Sequence, residues 1–353
     1  MKFGISITII TYLVYKAGAF ETGENNEFSK LWHGPKNWGF LLAAQILVML
    51  AIAVSFWRWM GLVHAVNLKL SLSDAIRIGF IGHMFGVFSI GTFGADAVRV
   101  FYVARDNPKQ KTLAFLTVFV DRLSGLMGLF SITTITIIGF QFIGESAVIS
   151  TEEGILRNIT RIVVISTVVG LSGYFCNLFV LPYFAKQKWV HSITHISIVG
   201  GIVRTTLDAG LAYQSRPFIL IFAFCQSLLV HILLTLTVFC VAIGLSGTHP
   251  TLGDHFIISP IAHLPGILPL PGGIGGLELA MDYFYKATLA NESSYGLMVA
   301  FGYRLTAIIA AGLGVYFYVR GRKELSHMDG YELDPELNTE ANPLAVSDAN
   351  GTN

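Results

Sequence analysis

The sequence predicts an all-α, polytopic transmembrane bundle, and three observations carry that expectation. Of its 353 residues, 53% are hydrophobic and only 13% are charged, well under the roughly 25% charged share of a soluble domain. The charges gather between apolar runs long enough to cross about 30 Å of hydrocarbon. Two further apolar segments are interrupted by glycine and proline, and a helix broken inside a bilayer is tolerated only where protein or a watery cavity satisfies its freed backbone groups. About six spans plus two re-entrant broken helices are expected.

The first apolar run, Phe3 to Tyr15, is followed by Lys16, Ala17, Gly18 and Ala19. It reads as an uncleaved anchor or a removed signal, and either leaves residue 21 outside. Glu21 to Asn37 is polar. Trp38 to Val66 is a full span, with Trp57 and Trp59 as interfacial anchors and Arg58, His64 and Lys69 as its positive inner flank. Leu72 to Ala104 is apolar but broken at Gly91, Thr92, Phe93 and Gly94, and it ends in a basic stretch from Arg99 to Lys111. Thr112 to Ile143 is a span interrupted early by Asp121 and Arg122. Glu145, Glu152 and Glu153 place the next loop outside, and Ile162 to Ala185 spans back to Lys186 and Lys188.

Trp189 to Arg216, with His191, His195, Arg204 and Asp208, reads as an amphipathic helix at the inner face. Phe218 to Leu245 is a span containing His231. In the second broken segment, 252–290, an apolar run reaches Pro269 and Pro271, breaks over Gly272, Gly273, Gly275 and Gly276, and resumes with Glu278 and Asp282. Tyr295 to Val319 is the last span, ending at Arg320, Arg322 and Lys323. The bias of lysine and arginine toward the cytoplasm places both termini inside, in the cell (inner) membrane. Residues 1–323 are expected to form one transmembrane domain, and the polar, acidic segment 324–353 a disordered cytoplasmic tail.

The two broken segments resemble each other. Leu72, Asp74, Ile81, His83 and Gly86 align with Leu252, Asp254, Ile261, His263 and Gly266; with single-residue shifts, Gly94 then meets Gly275, Tyr102 meets Tyr283, and Arg122-Leu123 meets Arg304-Leu305. Repeat one covers about 38–143 and repeat two about 216–320, each running span, broken helix, span. The positive flanks put the first broken segment on the inner side and the second on the outer side, the pattern of an inverted repeat.

Asp96, Arg99, Asp121, Arg122, Glu278, Asp282 and Arg304 all lie in or beside apolar segments, where each would cost about 2.5–3.5 kcal/mol at the bilayer centre. They are expected to face one another or a polar cavity. Asp96 and Arg99 share a face of the half-helix beginning after Gly94, whose N-terminal N–H groups and dipole suit an anion. Glu278 and Asp282, four apart after Gly275 and Gly276, are a candidate proton-coupling pair, while Arg122 and Arg304 occupy matching places where guanidinium forks grip phosphate. Pairing among these charges to lock the broken helices in place is the competing expectation.

Other readings carry less. His83, His231 and His263 lack metal-ligand spacing, so hydrogen-bonded core histidines and no metal are expected. Gly272 to Gly276 follows no strand and is no nucleotide loop. Cys176, Cys225 and Cys240 lie within apolar segments and are expected to be buried. A net charge of +1 gives no sign of nucleic-acid binding.

The motifs GTFGADAVRVFYVAR at 91–105, VDRLSGL at 120–126, LPLPGGIGGLE at 268–278 and YRL at 303–305 together resemble the membrane domain of the lysylphosphatidylglycerol synthase family, over most of the chain up to Arg320. Gly91, Gly94, Asp96, Arg99, Asp121, Arg122, Gly275, Gly276, Glu278 and Arg304 match the family pattern; Leu277 stands where the family often has arginine before the glutamate. The resemblance implies movement of lipids, such as aminoacylated phospholipids or polyprenyl-linked intermediates, between leaflets. It makes a translocase the expectation ahead of an enzyme. The partner is then an anionic lipid headgroup, held by Arg99, Arg122, Arg304, Gly94, Gly275 and Gly276, with Asp96, Asp121, Glu278 and Asp282 as coupling or structural charges and no cofactor. An enzyme acting on a lipid-linked substrate, a membrane subunit serving a separate transferase, and a homo-oligomer all stay open. The family's full synthases also carry a large soluble aminoacyl-transfer domain; a short tail follows Arg320 here, so synthase chemistry is expected to be absent from this chain.

Overall fold

The computed structural model describes residues 34–88, 92–143, 154–179, 211–267, 275–290 and 294–329, and among these the regular structure is helical. In chain order the helices are α1 (Trp38–Ala65), α2 (Leu72–Phe88), α3 (Thr92–Asp106), α4 (Lys111–Ile143), α5 (Gly154–Phe179), α6 (Phe218–Gly244), α7 (Leu252–His263), α8 (Gly276–Leu289) and α9 (Tyr295–Asp329). Five of them, α1, α4, α5, α6 and α9, contain windows long and apolar enough to cross a membrane, with mean hydropathy from 1.6 to 2.4. These match five of the six expected spans. The sixth, Phe3 to Tyr15, lies outside the described residues, as does most of the expected amphipathic helix at 189–216.

Two expectations are corrected at element ends. α3 begins at Thr92, so Gly94 sits within its first turn rather than before it. α9 continues to Asp329, past the point where the polar tail was expected to begin; its last residues leave the apolar stretch while keeping good helix formers such as Arg322, Lys323, Glu324 and Leu325.

α2, α3, α7 and α8 are short, at 17, 15, 12 and 14 residues. At 1.5 Å per residue the longest reaches only about 26 Å, less than the roughly 30 Å hydrocarbon core. α2 and α3 fold back on each other as a hairpin: a Cβ on Gly82 would lie 3.1 Å from the Ala95 carbonyl, a contact that a straight helix of that length would forbid. α7 and α8 form the second hairpin, with Gly276 against Pro265. Both hairpins begin with the same cap. The Ser71 hydroxyl donates to Asp74 Oδ2 at 2.6 Å and accepts the Asp74 N–H at 3.1 Å. Thr251 and Asp254 repeat that pair at 2.7 and 3.2 Å, a reciprocal arrangement that satisfies otherwise orphaned N–H groups.

The hairpins pack at opposite ends of the long helices. α2 and α3 share a core with the end of α1 (Trp59, Leu62, Val63), the first half of α4 (Ala114 to Val120) and the start of α6 (Leu220, Ala223). α7 and α8 share one with the start of α1 (Ala44), the end of α4 (Ile137), the end of α6 (Val238 to Ala242) and the start of α9. α1 and α6 run antiparallel between these cores, the Asn37 N–H donating to the Gly244 carbonyl at 2.9 Å. The halves also exchange partners: α2 packs on α9, and α7 packs on α4.

Close helix approach is built from glycine. A Cβ on Gly128 would lie 2.5 Å from Ser227 Cβ, and one on Gly79 2.6 Å from the Phe56 ring. Gly314 lies against the Phe80 carbonyl. Outward faces stay apolar, including Leu42, Ile46 and Leu50 on α1 and Ile308, Ile309 and Leu313 on α9, as lipid contact requires. Cys176 and Cys225 are exposed on such faces, not buried as expected, and Cys240 is half-buried.

Gly314→Val is expected to force α2 and α9 apart at a backbone carbonyl that cannot rotate away, costing about 1–3 kcal/mol. Gly312→Ala, where a Cβ meets nothing within 4 Å, should leave stability unchanged or slightly higher. Thermal unfolding of the two variants in the same detergent checks the contrast.

Candidate functional site

The charged residues of the apolar segments assemble near the tips of the two hairpins. Asp96, in the first turns of α3, accepts the Arg122 guanidinium through both carboxylate oxygens, with Nε at 2.9 Å from each. Glu278, in the first turn of α8, accepts Arg304 Nε at 2.6 Å. Each bridge joins the start of a half-helix to the following long helix across 26 residues. The two hairpins therefore carry similarly placed ion pairs. The geometry aligns Gly94-Ala95-Asp96 with Gly276-Leu277-Glu278, one residue along from the sequence alignment of Gly94 with Gly275.

The two bridges differ in surroundings. The Asp96 and Arg122 side chains are 22% and 42% exposed, whereas Glu278 is only 1% exposed. Glu278 also accepts the Gly275 N–H through Oε2 at 2.8 Å, so it caps its own helix while holding Arg304. Gly275 adopts φ 103°, a left-handed conformation that side chains disfavour. The expected Glu278–Asp282 carboxylate pair is not formed as such: Asp282 instead accepts Lys286 Nζ at 3.0 Å, one turn further along α8.

Asp121 and Arg122 are neighbours in sequence but have separate partners, because consecutive helical residues point about 100° apart. Asp121 is fully buried and holds two guanidinium groups: Arg58 Nε at 2.7 Å and Arg99 Nη1 at 3.2 Å. Arg58 also donates to Ser227 Oγ at 2.7 Å, tying α1, α3, α4 and α6 into one buried network. The Arg99 guanidinium further stacks on the Phe56 and Trp59 rings, at 5.7 and 5.2 Å from their centroids, a cation–π arrangement favoured where water is scarce.

Arg58 and Trp59 correct the sequence reading. Both are buried, not an inner flank and an interfacial anchor; only Trp57 is exposed. The signal available in the sequence was a single arginine followed by further apolar residues, Met60 to Val63, before the span ends.

Two of the three histidines link the halves, and the third bonds within its own helix. His83 Nε2 donates to the Ala307 carbonyl on α9 at 3.2 Å, and His231 Nε2 to the Gly125 carbonyl on α4 at 3.0 Å. His263 Nδ1 donates to the Ser259 carbonyl at 2.6 Å. His231 lies within electrostatic reach of Arg58 and His263, and His263 within reach of Arg304 and Glu278. Among the described residues, no group of three histidine, cysteine or acidic side chains is placed to hold a metal.

Arg58→Met is expected to cost about 3–5 kcal/mol, since it strips one partner from a buried carboxylate. Arg122→Gln, at the more exposed bridge, should cost no more than about 1 kcal/mol. Unfolding of both variants in mixed micelles measures the difference.

Neither a curated protein nor a solved structure matches the chain. A family model described as the lysylphosphatidylglycerol synthase TM region matches residues 2–314. That match spans every helix and both hairpins up to the later part of α9, so this integral membrane protein belongs to the lysylphosphatidylglycerol synthase transmembrane family.

Proposed function

We propose that the protein is a lipid translocase, moving a phospholipid or polyprenyl-phosphate-linked lipid between leaflets by alternating access. The observation that carries this reading is the pair of matched bridges, Asp96–Arg122 and Glu278–Arg304, each at the tip of a hairpin. The hairpins, packed at opposite ends of the long helices, act as re-entrant elements of an inverted repeat. They enter from opposite leaflets, with both termini in the cytoplasm and the protein in the cell membrane.

In this reading the headgroup is held at the cleft between the hairpin tips while acyl chains remain in lipid. Arg99, Arg122 and Arg304 attract the headgroup, and the glycines at 94, 275 and 276 let the backbone approach it closely. Asp96 and Glu278 hold the guanidinium groups when no lipid is present, so the cleft never exposes an unpaired charge to hydrocarbon. A headgroup exchanges with a carboxylate as counter-ion, which lowers the desolvation cost of carrying charge across the bilayer. Rocking one half against the other then exposes the site to alternate sides. Membership of a family named for a lipid synthase supports a role in lipid metabolism or transport.

Purified protein in vesicles carrying a fluorescent anionic phospholipid should speed leaflet transfer, read by quenching from outside. Arg99→Ala and Arg304→Ala should each slow it about tenfold or more, as expected for a charge-assisted hydrogen bond worth about 1.5–3 kcal/mol. Unchanged transfer in both variants would remove the proposed site, and a chemically altered lipid would replace the translocase with an enzyme.

A further inference from the structure

His83 and His263 align in the two broken segments but are bonded differently. His83, on α2, donates from Nε2 to the carbonyl of Ala307 on α9 at 3.2 Å. Ala307 stands three residues after Arg304, and the residue three after Arg122, on α4, is Gly125. α7 packs on α4, as α2 packs on α9. By that correspondence His263 Nε2 would cross-link α7 to the Gly125 carbonyl. It does not. The Gly125 carbonyl accepts His231 Nε2 at 3.0 Å, and His263 bonds back through Nδ1 to the Ser259 carbonyl of its own helix at 2.6 Å.

One atom is left over. His263 Nε2 is buried and has no hydrogen-bond partner among the described residues, a state that buried polar atoms rarely keep. Because Nδ1 carries the ring proton into the Ser259 bond, neutral His263 presents Nε2 as a bare lone pair. A second proton would make Nε2 a donor without giving up Ser259. A carbonyl oxygen has two lone pairs, so Gly125 can accept from His231 and His263 together, and the two rings lie within electrostatic reach of each other.

The surroundings let that proton come and go. Among the described residues, His263 is faced by Glu278 on α8, Arg304 and Tyr303 on α9 and His231 on α6, the Tyr303 ring standing edge-on at 5.1 Å. Glu278 and Arg304 are paired, so the imidazolium meets no uncompensated charge that would hold it permanently or forbid it. His263 is half-buried and the Arg304 side chain is 22% exposed, which gives a proton a short way in.

We infer that His263 Nε2 is a proton-binding site, and that the bound proton makes the cross-link from α7 to the Gly125 carbonyl of α4. The proton comes from water; an N–H bond forms on the Nε2 lone pair, no bond within the protein breaks, and the ring gains one positive charge. Glu278 then serves the imidazolium as well as Arg304. Its hold on α9 weakens while α7 is drawn onto α4, so a single proton shifts the second hairpin between two long helices. The site stands whether or not the protein moves lipid.

The test uses the full chain, labelled with nitrogen-15 at histidine, in phosphatidylcholine nanodiscs, followed by NMR from about pH 8 to about pH 5, the range in which histidines change charge. Each ring nitrogen reports its own protonation, and His263→Gln and His231→Gln identify the two signals. At the upper pH His263 should show a bare Nε2 and His231 a protonated one. As the pH falls, His263 Nε2 should gain its proton, and the His231 Nε2 signal should shift at the same midpoint because the two share one acceptor. At that midpoint pH, Glu278→Gln should cut the protonated fraction of His263 from about half to about a tenth or less, the nearby counter-charge being gone. A His263 Nε2 that stays bare throughout, or that already carries a proton at the upper pH, overturns the inference. So does protonation of His263 that leaves the His231 signal unmoved. Should a histidine variant fail to fold, His263 is assigned by its contact with the Tyr303 ring and His231 by its contact with Gly125. Should Glu278→Gln fail to fold, the titration of the unaltered protein decides alone.

Discussion

Hydrocarbon solvates neither charge nor backbone polar groups, and this constraint organises the molecule. Every ionised side chain that the sequence places in an apolar segment must find a partner inside the protein, or the segment leaves the membrane. Asp121 meets that demand with Arg58 and Arg99, Asp96 with Arg122, and Glu278 with Arg304. The long helices supply the arginines at 58, 122 and 304, and the half-helices supply Asp96, Arg99 and Glu278. The ion pairs therefore also join α3 and α8 to the long helices, beside the apolar cores they share.

The long helices were legible because their signal is cumulative. A 28-residue run such as α1 averages over any single misplaced residue. The hairpins were legible because glycine and proline punctuate the chain strongly, although α3 begins at Thr92, three residues before the start expected after Gly94: Thr92 and Phe93 are compatible with a first helical turn. The likeness of the two broken segments could be seen in sequence, but the register of their ion pairs needed coordinates. Gly94 aligns equally well with Gly275 or Gly276, and only the matched bridges to Arg122 and Arg304 choose between them.

Arg58 was misread for a physical reason. An arginine near the end of a span snorkels to the interface or turns inward to a carboxylate, and the linear pattern is the same in both cases. What decides is Asp121, 63 residues away. Likewise, Asp121 and Arg122 are adjacent in sequence, yet helix geometry sends them to different faces and different partners. The cysteines erred the other way: an apolar neighbourhood in a lipid-facing helix means exposure to acyl chains, not burial in protein.

Glu278 is a single carboxylate asked to serve two clients. One oxygen grips a guanidinium on α9, and the other closes off the first turn of α8 at a glycine held in a left-handed bend. Neutralising that one group loosens the grip on α9 and frays the start of α8 in the same moment. Local charge and local helix content are thus geared together there, and a change in counter-ion is transmitted as a change in backbone shape without any further linkage.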